Sequence, residues 1–362
     1  MSARRVLLTT DVVGGVWDFC LTLATALLER DAVCVTLLAL GDPSRDQRDM
    51  AAALGVEIRS APLKLEWMED SAADVAATAL LVADVAREVR ADVIHANQFA
   101  AVCAPSDVPV VLTLHSDVLS WRKWTLADAS VPPEWDAYAT LVRDALRRAD
   151  SVVAVSRFLA DEVASLYGVR RTINVIHNGW PAPTLSEHVR RGTLLAGRVW
   201  DAAKNITLAA DAAYGWAPGE VAVAGEQVHP QGGIAPLPAP LQPLGLLPRA
   251  QLDAWLMKTA VYLSPARYDP FGLLPLQAAL HGCALLLSDI PSYRELWTGA
   301  ARFFTANDSD DLRDQWQRLL TDDALRTDLA HRAAKRAATY TPRRLADSYH
   351  AQYREATARI AA

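Results

Sequence analysis

The chain is poor in lysine, in paired cysteines and in uninterrupted apolar runs, and each shortage excludes something. Four cysteines, Cys20, Cys34, Cys103 and Cys283, stand far apart without a C-x-x-C pair. That excludes a zinc ribbon or a thioredoxin-type redox motif and leaves reduced, mostly buried thiols as the reading. The longest charge-free apolar stretch, residues 270–288, is broken by proline, glycine, glutamine and histidine and cannot be a membrane span. After Arg4 and Arg5 the apolar run covers only residues 6–10, too short for a signal peptide, so a cytoplasmic protein is expected. The dinucleotide fingerprint G-x-G-x-x-G is missing, which argues against a nicotinamide or flavin enzyme. No His, Asp and Glu residues recur at metal-ligand spacing, and no metal or other cofactor is expected. No repeat of 20–50 residues is visible.

What is present is a folded, two-domain composition. The length of 362 residues exceeds one ordinary domain, and 51% hydrophobic against 22% charged residues supports real cores. The formal charge of −6 argues against a nucleic-acid binder, which would need an excess of cations for phosphate. Residues 1–180 hold 17 Lys and Arg against 24 Asp and Glu, whereas the remainder is nearly balanced. An acidic first half repels an anionic membrane surface and suits a neutral or cationic soluble partner.

Short apolar runs alternate with helix-period segments along the whole chain. Strands are expected at residues 6–10, 33–40, 93–95, 110–114 and 152–155, with helices at 18–29, 71–90 and 134–149 between them. Continuous apolar strands alternating with helices predict a parallel sheet covered on both faces. The pattern restarts after the turn cluster Asn178-Gly179-Trp180-Pro181, with strands expected at 194–196, 221–224, 261–264 and 284–288. Residues 227–248 carry six prolines and read as an extended connector. The segment from Pro342 reads as a polar, Arg-rich helix. Two doubly wound domains in tandem would bind a phosphate-bearing ligand in a cleft at their strand ends.

Several polar groups fall where strands end. Gly14 and Gly15 follow the first strand and would let backbone N–H groups approach a ligand; a plain tight turn is the equal alternative. Arg198 and Lys204, with Asn205, flank the loop after the strand at 194–196, and two cations there suit a diphosphate, unless they are ordinary surface charges. Lys204 is the more pointed because the chain has only five lysines. The densest stretch runs from Ser264 through Asp269-Pro270-Phe271-Gly272-Leu273 to Gln277, a strand end, a turn and a helix start in succession. His115, His95 and His177 also end strands, and the latter two read as structural. Trp121, Trp124 and Trp135 lie in the loop-rich segment 116–136, where tryptophan can stack on a sugar face or pack beneath the loop. Arg143, Arg147 and Arg148 read as a solvated helix face.

Taken in order, these motifs resemble glycosyltransferase family 4, the retaining nucleotide-sugar enzymes of the GT-B fold. The resemblance includes Gly14-Gly15, Asp92-Val93-Ile94-His95, Thr113-Leu114-His115, Ala154-Val155-Ser156-Arg157 and Ile176-His177-Asn178-Gly179. It continues through Gly197-Arg198, Lys204-Asn205, Leu244-Gly245, Pro270-Phe271-Gly272-Leu273, Ser288-Asp289-Ile290-Pro291 and Arg294-Glu295. It implies two Rossmann-like α/β domains, an acceptor domain at residues 1–180 and a nucleotide-sugar domain at 181–340, with the helix at 341–362 packing back on the first. It further implies metal-free transfer of a hexose-type sugar to a small or oligosaccharide acceptor, with Arg198 and Lys204 stabilising the leaving diphosphate. His115 and Asp269 would serve catalysis, and Trp121 and Trp124 the acceptor. Gly14, Gly15, Asn205, Leu244, Gly245, Pro270, Phe271, Gly272, Leu273 and Gln277 would complete the donor site. The family's usual pair of glutamates, eight residues apart, is replaced here by Asp269 and Gln277. A weakly active nucleotide-sugar-binding subunit and a sugar-nucleotide epimerase are the competing classes.

Overall fold

The computed structural model describes residues 4–30, 33–185, 189–217, 219–229 and 232–360. Among them are thirteen strands, every one paired in parallel, in two separate sheets. The first holds β1 (Arg4–Asp11), β2 (Val33–Leu40), β3 (Glu57–Ala61), β4 (Val93–Ala96), β5 (Val110–Leu114), β6 (Ser151–Ala154) and β7 (Asn174–Val175). Its order is β3-β2-β1-β4-β5-β6-β7. The second holds β8 (Arg191–Ala196), β9 (Val221–Ala224), β10 (Gln242–Gly245), β11 (Thr259–Ser264), β12 (Ala284–Ser288) and β13 (Arg302–Phe304), in the order β10-β9-β8-β11-β12-β13. Helices cover the sheets, and the central strands are buried along nearly their whole length.

Four strands were not expected from the sequence, β3, β7, β10 and β13, and they are the four edges of the two sheets. An edge strand is covered less completely, so it has no need of a continuous apolar run, and Glu57–Ala61 is mostly exposed or half-buried. β10 lies inside the proline-rich connector and contains Pro243, which an edge tolerates because only one side of the strand needs N–H donors. The connector is therefore partly sheet.

Contacts divide the chain into two compact units. One comprises Met1–Ser120, Ala129–Pro181 and Thr341–Ala362; the other comprises Trp121–Asp128 and Ala182–Tyr340. Gly179 marks the place where the first unit's outgoing and returning segments touch. A Cβ there would lie 2.5 Å from the Thr341 carbonyl oxygen, a distance no side chain permits.

The terminal helix Pro342–Ile360 is not simply polar. Leu345, Ala346, Tyr349, Tyr353 and Ala356 form one buried face against the helix Gly15–Leu28 and against β4 and β5. Beneath it lies a closed polar cluster. His95 Nδ1 is 2.7 Å from the Tyr353 hydroxyl, His95 Nε2 is 2.7 Å from Thr113 Oγ1, and Thr113 Oγ1 is 3.0 Å from the Tyr349 hydroxyl. All four residues are essentially inaccessible to solvent. Each would be costly alone, but together they satisfy one another. Cysteine burial is mixed: Cys20 and Cys283 are buried, Cys103 is half-buried and Cys34 is exposed. No described helix is long and apolar enough to cross a membrane.

Burial, aided by the neighbouring His115, holds the His95 imidazole well below the ordinary histidine range. The unfolded chain takes up this proton near pH 6.5 and the folded chain does not. The stability His95 contributes is thus present above pH 6.5 and is lost as pH falls below it, by up to about 1.4 kcal/mol per pH unit. Urea unfolding at pH 7.5, 6.5 and 5.5 should show a steeper loss in the parent than in His95→Gln; parallel profiles would contradict the assignment.

Candidate active site

In the second unit the strand order turns at β8 and β11, and the loops leaving those two strands carry the polar groups. After β8 the chain runs through Gly197, Arg198 and Asp201 to Lys204; after β11 it runs through Arg267 to Asp269. The loops are tied together by the Arg267 N–H donating to the Ala203 carbonyl at 2.8 Å. Lys204 Nζ lies 3.0 Å from Asp269 Oδ2, with both side chains largely buried. Arg198 donates to Asp201 Oδ2 at 2.7 Å. The two cations expected to receive a diphosphate are therefore each held by a carboxylate of the same loop system.

Asp201 is a junction that the sequence reading missed. Its Oδ1 accepts from the Ala203 N–H at 3.0 Å and from the Trp121 indole at 3.1 Å. Burial alone would push this carboxyl up, but Arg198 and Lys204, with the two N–H donors, hold it below the ordinary carboxylate range. Tyr293 was also missed. Its hydroxyl donates to Asp269 Oδ2 at 3.1 Å and lies 2.7 Å from Ser264 Oγ, while Ser292 Oγ donates to the Asp269 carbonyl at 2.7 Å. Burial first, and Asp269 second, keep the Tyr293 phenol well above its usual range, so it stays a donor. Asp201 had a sequence signal, a short polar residue opening a helical turn three after Arg198. Tyr293, on the helix Pro291–Trp297, had none.

Other residues named from the sequence take different places. Phe271 is 4% exposed and meets Tyr340 edge-on at 5.9 Å, so its ring belongs to the core beneath the loop and is not open to a ligand. Pro270 and Gly272 are buried beside it, and Leu273 opens the helix Leu273–Leu280 half-buried. Gln277, on that helix, is 4% exposed, and its carbonyl accepts from His281. Asn205 spends its amide on Asn307 Oδ1 at 3.2 Å, in a left-handed turn. Leu244 and Gly245 end β10, where the Gly245 carbonyl accepts from the Gly225 N–H at 2.8 Å. Trp121 and Trp124 lie on the helix Val118–Leu126, not in a loop, and both are half-buried and grouped with the second unit. The indole N–H of Trp121 is anchored on Asp201.

In the first unit the strand order turns at β1 and β4. Gly14 and Gly15 are exposed after β1, and Gly14 has φ +117°, a conformation glycine takes without strain. Asp11 Oδ1 tightens this turn by accepting from the Val13 N–H at 2.9 Å. Asn97 follows β4, and His115 follows β5. The His115 ring packs edge-on against Phe19 at 4.5 Å, and its Nε2 lies 2.8 Å from Asn97 Oδ1. Burial pushes the imidazole down to about 3, so it is neutral at physiological pH. Glu66 Oε1 accepts from the Phe99 N–H at 2.8 Å, and burial, with Asp11 adding, holds its carboxyl above the usual range. His95 is consumed by the cluster beneath the terminal helix. Arg143, Arg147 and Arg148 are exposed. No group of three or more His, Cys, Asp or Glu residues among the described ones could hold a metal ion.

Two family models match separate parts of the chain, Glycosyltransferase Family 4 over residues 13–181 and Glycosyl transferases group 1 over residues 237–336. No curated protein sequence matches significantly. Among solved structures, a sucrose-phosphate synthase from Thermosynechococcus elongatus superposes with a TM-score of 0.75 at 16% identity, covering 98% of this chain and 99% of that one. A glycosyltransferase from Rickettsia africae gives 0.72 at 13%, with 98% and 99% covered. Anabaena HepE in complex with UDP-glucose gives 0.71 at 18%, with 96% and 98% covered. With two doubly wound parallel sheets and a family match in each half, the chain belongs to the GT-B glycosyltransferases.

Proposed function

We propose that the chain moves a hexose-type sugar, with retention of configuration and without a metal, from a nucleoside-diphosphate sugar to a soluble, uncharged or cationic acceptor. The observation that carries this is the Lys204–Asp269 pair, with Arg198 beside it, at the turning point of the second sheet. A diphosphate carries more negative charge than one carboxylate and would draw Lys204 from Asp269. The carboxylate released in this way would accept from a hydroxyl of the donor sugar. As the bond between the anomeric carbon and the phosphate oxygen breaks, Arg198 and Lys204 would stabilise the charge on the leaving diphosphate. The acceptor oxygen would bond to that carbon and pass its proton to a phosphate oxygen. The acidic first half favours an acceptor without negative charge. HepE binds UDP-glucose, which makes uridine diphosphate sugars the first donors to test.

A thermal-shift screen of UDP-, GDP-, ADP- and TDP-sugars should raise the melting temperature for one base, because a ligand of the folded state stabilises by mass action. Release of nucleoside diphosphate that depends on acceptor supports transfer. Donor binding without turnover would favour a binding subunit, and isomerised donor an epimerase. Turnover should survive EDTA; loss restored by magnesium or manganese would refute the metal-free reading.

Lys204→Ala should leave the fold intact and lower kcat by about 10²–10³, the scale of one lost preorganised charge. A parental rate would remove Lys204 from the phosphate site. Asp269→Asn should act differently, because it releases Lys204 to the diphosphate while removing the charge near the sugar. Steady-state kinetics should show kcat falling with donor KM unchanged or lower; a rise in KM at constant kcat would show Asp269 to be only a binding group.

A further inference from the structure

The geometry points to Asn97 as a positioning residue that fixes His115 as the Nε2–H tautomer, so that its Nδ1 lone pair takes a substrate hydroxyl. Asn97 is held from the neighbouring strand, β1. Asn97 Nδ2 lies 2.7 Å from the Thr9 carbonyl oxygen on β1, and a carbonyl can only accept, so the NH2 end of the amide must face it. The same nitrogen lies 3.2 Å from Cys20 Sγ, and the Asn97 backbone N–H donates to Thr9 Oγ1 at 3.0 Å. The two Nδ2 contacts decide which end of the amide is oxygen, and the backbone bond holds the residue against β1.

The other end is Oδ1, 2.8 Å from His115 Nε2. An amide oxygen only accepts, so Nε2 must carry the hydrogen. The imidazole is neutral because burial opposes its charged form. A neutral ring with hydrogen on Nε2 has a lone pair on Nδ1, and no described residue hydrogen-bonds to that nitrogen. Phe19, edge-on at 4.5 Å, limits rotation of the ring. His115 therefore presents an acceptor and not a cation. It matches an O–H group, as on a sugar or polyol, and rejects a phosphate or carboxylate oxygen, which brings no hydrogen.

That the hydroxyl belongs to a sugar rests on the glycosyl-transfer reading; the tautomer does not, and the experiment separates the two. Histidine-selective 15N labelling and long-range 1H–15N spectra of the unliganded protein at pH 7.5 should show His115 protonated at Nε2 and bare at Nδ1, the signals being assigned by their loss in His115→Gln. In Asn97→Leu, which removes the acceptor at similar size, the same signals should move to a mixture of tautomers. A parent ring protonated on Nδ1 or on both nitrogens overturns the inference, and so does a variant that keeps a single Nε2–H form. Should Asn97→Leu fail to fold, Asn97→Ser takes its place under the same readout, and a parent ring bare at Nε2 overturns the inference without either variant. With a donor in hand, kcat/KM of the variant should fall about tenfold or more, as expected when a histidine loses its working tautomer; an unchanged kcat/KM would show that the tautomer has no role in turnover.

Discussion

The parallel strand is the constraint from which the rest follows. A strand buried on both faces can carry almost nothing but apolar side chains, and its parallel neighbour can be reached only by a crossover that starts at its carboxyl end. All strands of a sheet therefore release their loops along one edge, and polar residues are confined to that edge. β1 ends in Thr9, Thr10 and Asp11, β4 is followed by Asn97, and β5 by His115. β8 is followed by Arg198 and Lys204, and β11 by Asp269. Each sheet also reverses its strand order once, at β1 and β4 or at β8 and β11, and there two loops part and leave room for a ligand.

Charge in these loops is arranged in partnerships. Removing a lysine or arginine from water without a counter-ion is costly, and a half-buried loop system cannot leave both cations bare. Asp269 holds Lys204, and Asp201 holds Arg198 while also collecting an indole and a backbone N–H. The same contacts keep both cations in place within the loop after β8. Tyr293 donates to the Asp269 carboxylate as Trp121 and Ala203 do to that of Asp201, and Ser292 holds the Asp269 main-chain carbonyl.

His95 and His115 show how one residue type at similar strand ends acquires two roles. Each is kept neutral by burial. His95 has both nitrogens engaged, by Thr113 from the next strand and by Tyr353 from a helix more than 250 residues further along the chain. It is a peg that seats the terminal helix. His115 has one nitrogen engaged, by Asn97, and no described residue hydrogen-bonds to the other. Nothing in the local sequence of either separates them.

Alternation of apolar runs with helix-period segments determined the two parallel sheets, because burial on both faces writes itself into consecutive side chains. The central strands were legible for that reason, and the half-solvated edges β3, β7, β10 and β13 were not. Placement after a strand was enough to bring forward Arg198, Lys204, Asp269 and His115, since polar residues there follow from the connectivity. Only the tertiary structure decided what those residues face. Lys204 meets Asp269 across 65 positions, Trp121 meets Asp201 across 80, and Asn97 meets Thr9 across 88. It also decided that Phe271 is core, that Gln277 is buried, and that the Arg-rich terminal helix hides an aromatic face. Hydrogen bonds and ion pairs depend on distances of a few ångströms between segments far apart in the chain, and no periodicity along the sequence encodes those distances.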